Sequence, residues 1–316
     1  MTEKTTRVCH YHKLKICYNG DVYPCCLTVP HTFIGNIFDK DIFEKIKNAK
    51  ILCECSLFKS VEQKEDDEIN LKYIHYETSN TCQASCVCCY QSKEPMQNEK
   101  EHLARLRELI DYYKPENIVA IGGEVLVQEN AFNMLSDLHK KYPKMGIGTI
   151  SNLCVGEERL KQAEEIFDRI TVSMLGFDKQ SYKIHMNLDF EKVLNNFMTL
   201  YKNKKVELSP KFLAMPSNIV DIPEFLKWAL TLDVNKIYLH NVTTFLQETN
   251  WQSQIWHNIL LRIEKQIKNL FQDNKDLIAA TNRHFISIHP TLAQTLNITE
   301  EYINSIGLEK NIFIAS

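Results

Sequence analysis

The sequence predicts an α/β fold with a parallel sheet, because two kinds of segment alternate along the chain. From residue 71 onward, short β-branched or aromatic runs alternate with longer stretches whose apolar residues recur at helical spacing. Strands that alternate with helices form parallel sheets through right-handed crossovers. Six such steps predict a partial (β/α)6 barrel, whose functional residues should lie at the carboxyl ends of the strands.

The predicted elements follow one another in regular order. Strands are predicted at 72–77, 117–121, 146–150, 170–174, 206–213 and 236–240, and helices at 100–113, 130–141, 157–167, 189–202 and 221–232. An amphipathic helix at 251–271 and a short strand at 285–289 follow the barrel. Ahead of it, Asn19-Gly20 predicts a hairpin turn, and a short helix should begin near Asp41. We therefore divide the chain into a small N-terminal module (1–68), the barrel (69–245) and a mostly helical C-terminal extension (246–316).

Composition excludes several function classes. The 316 residues are 44% hydrophobic, which is enough for a large core, and the net charge is −3. No basic run favours nucleic-acid binding, no apolar run is long enough to cross a membrane, and the first residues lack the apolar centre of a signal peptide. We therefore expect a cytoplasmic protein without nucleic-acid or membrane partners. In that compartment, eleven cysteines indicate metal ligation rather than disulfides.

Three of these cysteines form a compact motif directly after the first barrel strand. Cys82, Cys86 and Cys89 have the spacing Cys-x3-Cys-x2-Cys. Thiolates this close on one loop converge, and soft sulfur ligands favour zinc or an iron–sulfur cluster. A structural zinc site needs four ligands, whereas a cluster held by three cysteines leaves one iron open for a substrate or cofactor. Cys88 is an alternative ligand in this loop.

The loop, with Ser79-Asn80 before it and an aromatic residue after it, resembles the cluster loop of the radical S-adenosylmethionine (SAM) enzymes. This resemblance implies that the three cysteines hold a [4Fe-4S] cluster whose open iron chelates the amino and carboxylate groups of SAM. One electron from the cluster would then cleave SAM to methionine and a 5′-deoxyadenosyl radical. Cys88 stands where the family usually has an aromatic residue.

Residues at the predicted strand ends extend the resemblance. Gly122-Gly123-Glu124 resembles the family's Gly-Gly-Glu motif, which binds the amino group of the methionine part of SAM. Glycines let a ligand approach the backbone, and a carboxylate accepts hydrogen bonds from an ammonium group. Val125 replaces the usual proline. The phrase around Ser173 resembles Val-Ser-Leu-Asp-Gly, with Leu175 in place of Asp. The other cofactor-binding positions implied by the resemblance are Tyr90, Ser151, Asn152 and His240, the last in the adenine pocket unless it is a structural histidine.

Cys154 follows the third barrel strand. In peptide epimerases of the family, a cysteine returns a hydrogen atom to the substrate radical. The resemblance therefore implies a hydrogen-atom donor here, and the alternative is a small, half-buried residue of the core.

A second resemblance concerns the N-terminal cysteines. Their arrangement, with Gly20 to Cys25 and the phrase Ile34-Gly35-Asn36 between them, resembles the SPASM and twitch modules of radical SAM maturases, although those modules normally follow the barrel. This resemblance implies an auxiliary [4Fe-4S] cluster. Its ligands would be Cys9, Cys25, Cys53 and Cys55, with Cys26 as a rival for Cys25 and Cys17 as a core thiol. A zinc site with the same four thiolates is the alternative.

Together these resemblances imply a radical SAM enzyme that abstracts hydrogen from a ribosomally made peptide or protein, or otherwise from a small molecule. A reducing partner such as flavodoxin or ferredoxin would supply the electron. The alternative from another class is a non-enzymatic zinc protein that presents a partner-binding surface.

Overall fold

The α/β fold class is confirmed. The computed structural model describes residues 13–25, 33–49, 71–91, 96–242, 254–281 and 285–314. The strands are β1 (Lys13–Ile16), β2 (Asp21–Tyr23), β3 (Gly35–Asn36), β4 (Tyr73–Glu77), β5 (Asn117–Ile121), β6 (Gly146–Ser151), β7 (Arg169–Met174), β8 (Glu207–Ala214), β9 (Ile237–Asn241), β10 (Ile286–Ile288) and β11 (Ile312–Ile314). Each predicted barrel strand lies within about one residue of β4 to β9.

The helices lie between the strands. They are α1 (Ile42–Asn48), α2 (Glu99–Tyr113), α3 (Glu129–Lys141), α4 (Glu157–Ile166), α5 (Lys179–Met186), α6 (Phe190–Asn203), α7 (Ile222–Ala229), α8 (Gln254–Asp273), α9 (Lys275–Ala279), α10 (Pro290–Thr295) and α11 (Glu300–Ser305). Several predictions lie outside the described residues: Cys9, Cys26, Cys53, Cys55 and both segment boundaries, at 68/69 and 245/246.

The chain forms two compact units, and the first contains the described residues of Met1–Gln83, Tyr90–Ser151 and Val155–Asp168. Its sheet has the order β3-β2-β1-β4-β5-β6. Strands β4, β5 and β6 are parallel, as the alternation of strands and helices predicts. Ile74, Ile118 and Ile147 are fully buried in this sheet, and α2 and α3 bury the apolar faces that their spacing predicts.

The predicted hairpin forms in the N-terminal segment, and its first strand joins the barrel sheet. β1 pairs with β2 in antiparallel orientation and with β4 in parallel orientation, in the register Ile16 to Tyr76. Gly20 adopts a φ of +88°, which the turn requires. Leu14, Ile16 and Val22 are buried. Backbone pairing and apolar burial therefore stabilise this part of the segment.

The second unit contains Ala84–Cys89, Asn152–Cys154 and the described residues of Arg169–Ser316. Its strands pair in parallel in the order β7-β8-β9-β10-β11. Helices α5 and α6 begin at aspartate caps, because Asp178 and Asp189 accept hydrogen bonds from first-turn amides. No helix in the described ranges is long and apolar enough to cross a membrane.

Some short elements were not predicted. They are α5, the helices α9 to α11 and the strands β3 and β11, and none of them has more than eight residues. Such segments are too short for a periodic pattern to identify, and their stability depends on tertiary packing.

Candidate active site

A buried carboxylate is the last residue of β4, immediately before the cysteine loop. Glu77 is 1% exposed and forms an ion pair with Lys15 of β1, which is 6% exposed. Its oxygens also accept hydrogen bonds from the hydroxyl of Tyr90 (2.5 Å), the backbone N–H of Tyr18 (3.1 Å) and the side chain of Gln91 (3.3 Å). Four donors thus compensate the desolvation of one buried charge.

These donors set the ionisation of Glu77. Burial alone would raise the pKa of the carboxyl group, but the charge of Lys15 and the hydrogen bonds from Lys15, Tyr90 and the Tyr18 amide lower the pKa below its ordinary value of 4.5. Glu77 is therefore ionised at neutral pH.

This lowered pKa predicts how stability depends on pH. A carboxyl group with a depressed pKa stabilises the folded state above its unfolded pKa, and that contribution disappears as the pH falls through the folded value. We expect the difference in unfolding free energy between the wild type and Glu77→Gln to shrink as the pH drops below about 4.5. Anaerobic urea unfolding at several pH values measures it; a pH-independent difference would contradict the assignment.

The Gly-Gly-Glu turn after β5 packs directly against the residue that precedes Cys82. Gly122 and Gly123 adopt φ values of +87° and +46°. A Cβ atom on Gly123 would lie 2.1 Å from the carbonyl oxygen of Thr81, and one on Gly122 would lie 2.7 Å from the Cβ of Glu77. Only glycine fits these positions without a rearrangement. The predicted motif is thus a backbone turn in close contact with the start of the cysteine loop.

The carbonyl of Thr81 holds this turn. It accepts hydrogen bonds from the backbone N–H of Glu124 (2.9 Å) and from the side-chain amide of Gln128 (2.9 Å). The same amide also donates to the carbonyl of Gly122 at 3.2 Å. Gln128 is buried, so its amide fixes the turn and the loop together.

Glu124 is 1% exposed, and its carboxylate lies at the end of β6. Its Oε1 atom accepts hydrogen bonds from the hydroxyl of Ser151 (2.9 Å) and the backbone N–H of Leu126 (3.1 Å). The structure therefore brings two of the predicted cofactor-binding residues, Glu124 and Ser151, into direct contact. A buried, oriented carboxylate of this kind suits an ammonium group.

In the second unit, helix α5 anchors the part of the cysteine loop around Cys86. The backbone N–H groups of Ser85 and Val87 donate to the carbonyls of Met186 and His185, each at 3.0 Å. The last carbonyls of a helix have no partner within it, and here the cysteine loop uses them. The Cys89 N–H donates to the Cys86 carbonyl at 3.2 Å, which tightens the loop between these cysteines.

A buried histidine of α5 bonds this helix to the segment that follows β8. The Nε2 atom of His185 lies 2.9 Å from the hydroxyl of Ser217, and its Nδ1 atom lies 2.7 Å from the carbonyl of Ser181. Because a carbonyl only accepts, Nδ1 carries the proton and Ser217 donates to Nε2. Sequence reasoning missed α5, whose only local signal was Asp178, the aspartate at its N-cap.

The cysteines of the loop differ in exposure. Cys82 and Cys89 are exposed, and Cys86 and Cys88 are half-buried. Burial raises the pKa of the Cys88 thiol. Across the described ranges, no three His, Cys, Asp or Glu side chains are grouped closely enough to hold a single metal ion. In a cubane cluster each cysteine binds a different iron, so its ligands need not meet at one ion.

The carboxyl end of β9 carries buried polar atoms that have no hydrogen-bond partner among the described residues. They are the Nε2 atom of His240 and the side-chain amide of Asn241. Burial, reinforced by nearby cationic groups such as Lys211, lowers the pKa of His240 to about 3. A neutral imidazole and an amide can both bond an uncharged heterocycle. His240 was predicted from the sequence, and Asn241 was missed because nothing in the pattern separates it from the strand.

Ser173 lies in β7, half-buried and in register with Lys211 of β8. Leu175, which replaces the usual aspartate, is buried and apolar. The position of Ser173 near the carboxyl end of its strand agrees with the prediction, and its contact with a cofactor stays a prediction.

The turn that follows β6 presents Cys154. The backbone N–H of Cys154 donates to the side chain of Asn152 at 2.9 Å, and Leu153 adopts a φ of +58°. The side-chain amide of Asn196 holds this turn through the Leu153 carbonyl at 2.9 Å. A buried leucine in the left-handed region is strained, so Asn196 and Asn152 maintain a conformation that the local sequence does not favour.

Of the predicted auxiliary ligands, only Cys25 lies in the described ranges, where it is half-buried just after β2. Cys17 lies in the hairpin turn, and burial raises the pKa of its thiol to about 11. That half-buried thiol is therefore neutral at pH 7, and its role as a core thiol stays a prediction. The auxiliary cluster itself stays a prediction.

Comparison with known proteins identifies the central part of the chain. Residues 76–229 match the Radical SAM superfamily. The chain contains a radical SAM domain. Enzymes of this superfamily use a [4Fe-4S] cluster and SAM, and the match supports an enzyme of this class over residues 76–229. No curated protein matched the sequence.

Two solved structures resemble the fold of this chain. Streptococcus suis SuiB bound to the precursor peptide SuiA has 11% sequence identity and a TM-score of 0.51, over 72% of this chain and 51% of SuiB. The structure of anSMEcpe with bound AdoMet (SAM) and the Cp18Cys peptide has 18% identity and a TM-score of 0.50, over 68% of this chain and 62% of anSMEcpe. The match thus spans less than two thirds of either protein, and at these identities the likeness concerns the fold.

The residues of this chain fit the cofactors of the class. The three cysteines supply soft thiolate donors, Gly122 and Gly123 form a tight turn against the start of the cysteine loop, and Glu124 offers a buried carboxylate. The unpartnered polar atoms of His240 and Asn241 would gain partners from a bound heterocycle.

Proposed function

We propose that this enzyme reductively cleaves SAM and abstracts a hydrogen atom from a ribosomally made peptide or protein in the cytoplasm. The close packing of the Gly122–Glu124 turn against Thr81, the residue before Cys82, is the observation that carries the proposal. It joins the predicted amino-group site to the predicted cluster loop in one backbone arrangement.

In this proposal Cys82, Cys86 and Cys89 hold the [4Fe-4S] cluster. When bound, the cluster supplies the electron that cleaves SAM and generates the 5′-deoxyadenosyl radical, and a flavodoxin or ferredoxin would deliver that electron. The protein supplies the ligands, orients the cofactor and excludes water.

The remaining residues would orient SAM. Glu124, held by Ser151, would accept hydrogen bonds from the amino group of SAM, and the glycine carbonyls would lie beside it. His240 and Asn241 would bond the adenine ring, which agrees with their buried, unpartnered atoms and the neutral state of His240. We retain Tyr90, Asn152 and Ser173 as further cofactor contacts.

The peptide substrate is proposed on the likeness to SuiB and anSMEcpe, whose structures contain a precursor peptide and a peptide, respectively. A cysteine near the reacting carbon can return a hydrogen atom to a substrate radical, and we assign this role to Cys154. Its turn is held by Asn152 and Asn196, which would keep the thiol in place.

We also propose that the N-terminal segment (1–68) binds an auxiliary [4Fe-4S] cluster through Cys9, Cys25, Cys53 and Cys55, ahead of a barrel at 69–245 and an extension at 246–316. The pairing of β1 with β4 supports an N-terminal segment attached to the barrel sheet. An auxiliary cluster would accept or donate an electron or orient the substrate.

The decisive experiment uses the full chain, purified and reconstituted without oxygen. We expect 5′-deoxyadenosine to form from SAM under dithionite, and a candidate precursor peptide to increase its rate and to gain or lose hydrogen by mass spectrometry. A small molecule that stimulates turnover where peptides do not would redirect the substrate assignment. Zinc in place of iron, with no 5′-deoxyadenosine, would support a zinc-binding interaction protein instead.

A further inference from the structure

We propose that Lys15, in the N-terminal hairpin, is a positioning residue for the SAM-binding turn and acts on it through Glu77 and Gln91. The inference rests on the proposed function, because it takes the Gly122–Glu124 turn as the site of the SAM amino group. It connects a segment that precedes the radical SAM domain to the cofactor site of that domain.

The first link is the ion pair between Lys15 and Glu77. The parallel pairing of β1 with β4 puts Lys15 opposite His75, two residues before Glu77, so the lysine side chain reaches the end of the neighbouring strand. Both side chains are almost fully buried. Removing Lys15 would leave a buried carboxylate without its cationic partner, and the carboxylate would then move towards water or bind a proton.

The second link is the side-chain amide of Gln91, whose orientation its two partners determine. Its Nε2 atom donates to the Glu77 carboxylate at 3.3 Å, and its Oε1 atom accepts from the Gly123 N–H at 2.7 Å. A flipped amide would place its oxygen beside the Glu77 carboxylate and its NH2 group beside the Gly123 N–H, so neither hydrogen bond could form. The charge of Glu77 therefore fixes which end of the glutamine faces the turn.

The third link is the Gly123 amide. Its N–H group donates to Gln91, and the Thr81 carbonyl oxygen lies 2.1 Å from the position that a Cβ atom of Gly123 would take. A peptide plane held from two sides has a fixed orientation, and this orientation sets the direction of the neighbouring Gly122 carbonyl and of Glu124. The Gly122 carbonyl of this peptide plane also accepts a hydrogen bond from Gln128 at 3.2 Å. Loss of the Gln91 bond would leave the plane held at one edge only, so that it can tilt, although every residue that contacts SAM is still present.

The test compares SAM affinity in cluster-loaded protein. We expect Lys15→Met and Gln91→Met to raise the Kd for SAM about tenfold or more by calorimetry, the effect of one lost hydrogen-bonded contact. Iron per chain should be unchanged, and the change that SAM causes in the EPR spectrum of the reduced cluster should weaken. Lys15→Arg, which keeps the ion pair, should restore most of the affinity.

Arg105→Met is the matched control. Arg105 also holds the N-terminal segment, through a 3.1 Å hydrogen bond from its Nε atom to the carbonyl of Ile37. Within the part of the chain that the structure describes, none of its hydrogen bonds involves Gln91 or the turn. It should lower the melting temperature without changing the Kd for SAM. A structural role of Lys15 alone would make the two variants equivalent.

The outcomes are distinct. Wild-type affinity in both Lys15→Met and Gln91→Met would overturn the inference and leave the proposed function intact. If Lys15→Met does not fold, Gln91→Met decides alone, since it keeps the ion pair. A wild-type protein that loads a cluster but does not bind SAM would overturn the proposed function and this inference with it.

Discussion

Replacing Cys82, Cys86 or Cys89 singly by alanine should abolish reductive cleavage of SAM and remove about four iron atoms per chain. A cluster with three protein ligands loses its anchorage when one thiolate is removed, because solvent then reaches a second iron. The measurement is iron and sulfide per chain after anaerobic purification, together with 5′-deoxyadenosine formed under dithionite. We expect about eight irons in the wild type if both proposed clusters are present, and about four in each variant.

Cys88→Ala is the matched control for this experiment. Cys88 lies in the same loop and is half-buried, but it falls outside the Cys-x3-Cys-x2-Cys register. This variant should retain its iron and its cleavage of SAM. The opposite pattern, with iron lost in Cys88→Ala and kept in Cys89→Ala, would reassign the third ligand to Cys88.

Gly123→Ala should reduce SAM binding to below detection and destabilise the fold. At a φ of +46° an alanine costs about 1–2 kcal/mol from its backbone alone. Its Cβ atom would also lie 2.1 Å from the Thr81 carbonyl oxygen, so either the turn or the start of the cysteine loop must move. Gly156→Ala is the control, because a Cβ atom there meets nothing within 4 Å. Equal SAM binding in the two variants, measured by calorimetry, would contradict the assigned site.

Glu124→Gln tests the same turn through its charge. The substitution preserves the size of the side chain, and an amide oxygen still accepts from Ser151 and Leu126. It removes the negative charge that would face the SAM ammonium. A charged hydrogen bond contributes about 1.5–3 kcal/mol, so we expect the Kd for SAM to rise roughly 10- to 100-fold. Ser151→Ala should have a smaller effect, and a Kd unaffected by Glu124→Gln would place the amino group elsewhere.

The sequence predicted much of the candidate site because its chemistry is local. The cysteine spacing, the Gly-Gly-Glu turn and the strand-end serines each lie within a few consecutive residues. Lys15, Glu77 and Gln91 were not predicted, because the residues that bond to one another are far apart in the chain: Glu77 lies 62 positions after Lys15. A glutamate at the end of an apolar strand, directly before the cysteine loop, was the only local sign of this group.

By itself, the sequence determined the α/β class, the bounds of β4 to β9 and the family of the cysteine loop. Periodicity and motif spacing are properties of neighbouring residues, so they can be read without coordinates. Only the tertiary structure decided that β1 extends the barrel sheet, that α5 anchors the loop around Cys86 and that the Thr81 carbonyl excludes any side chain at Gly123. These contacts join segments that are distant in sequence, and they form because burial and hydrogen bonding select one arrangement that no local preference specifies.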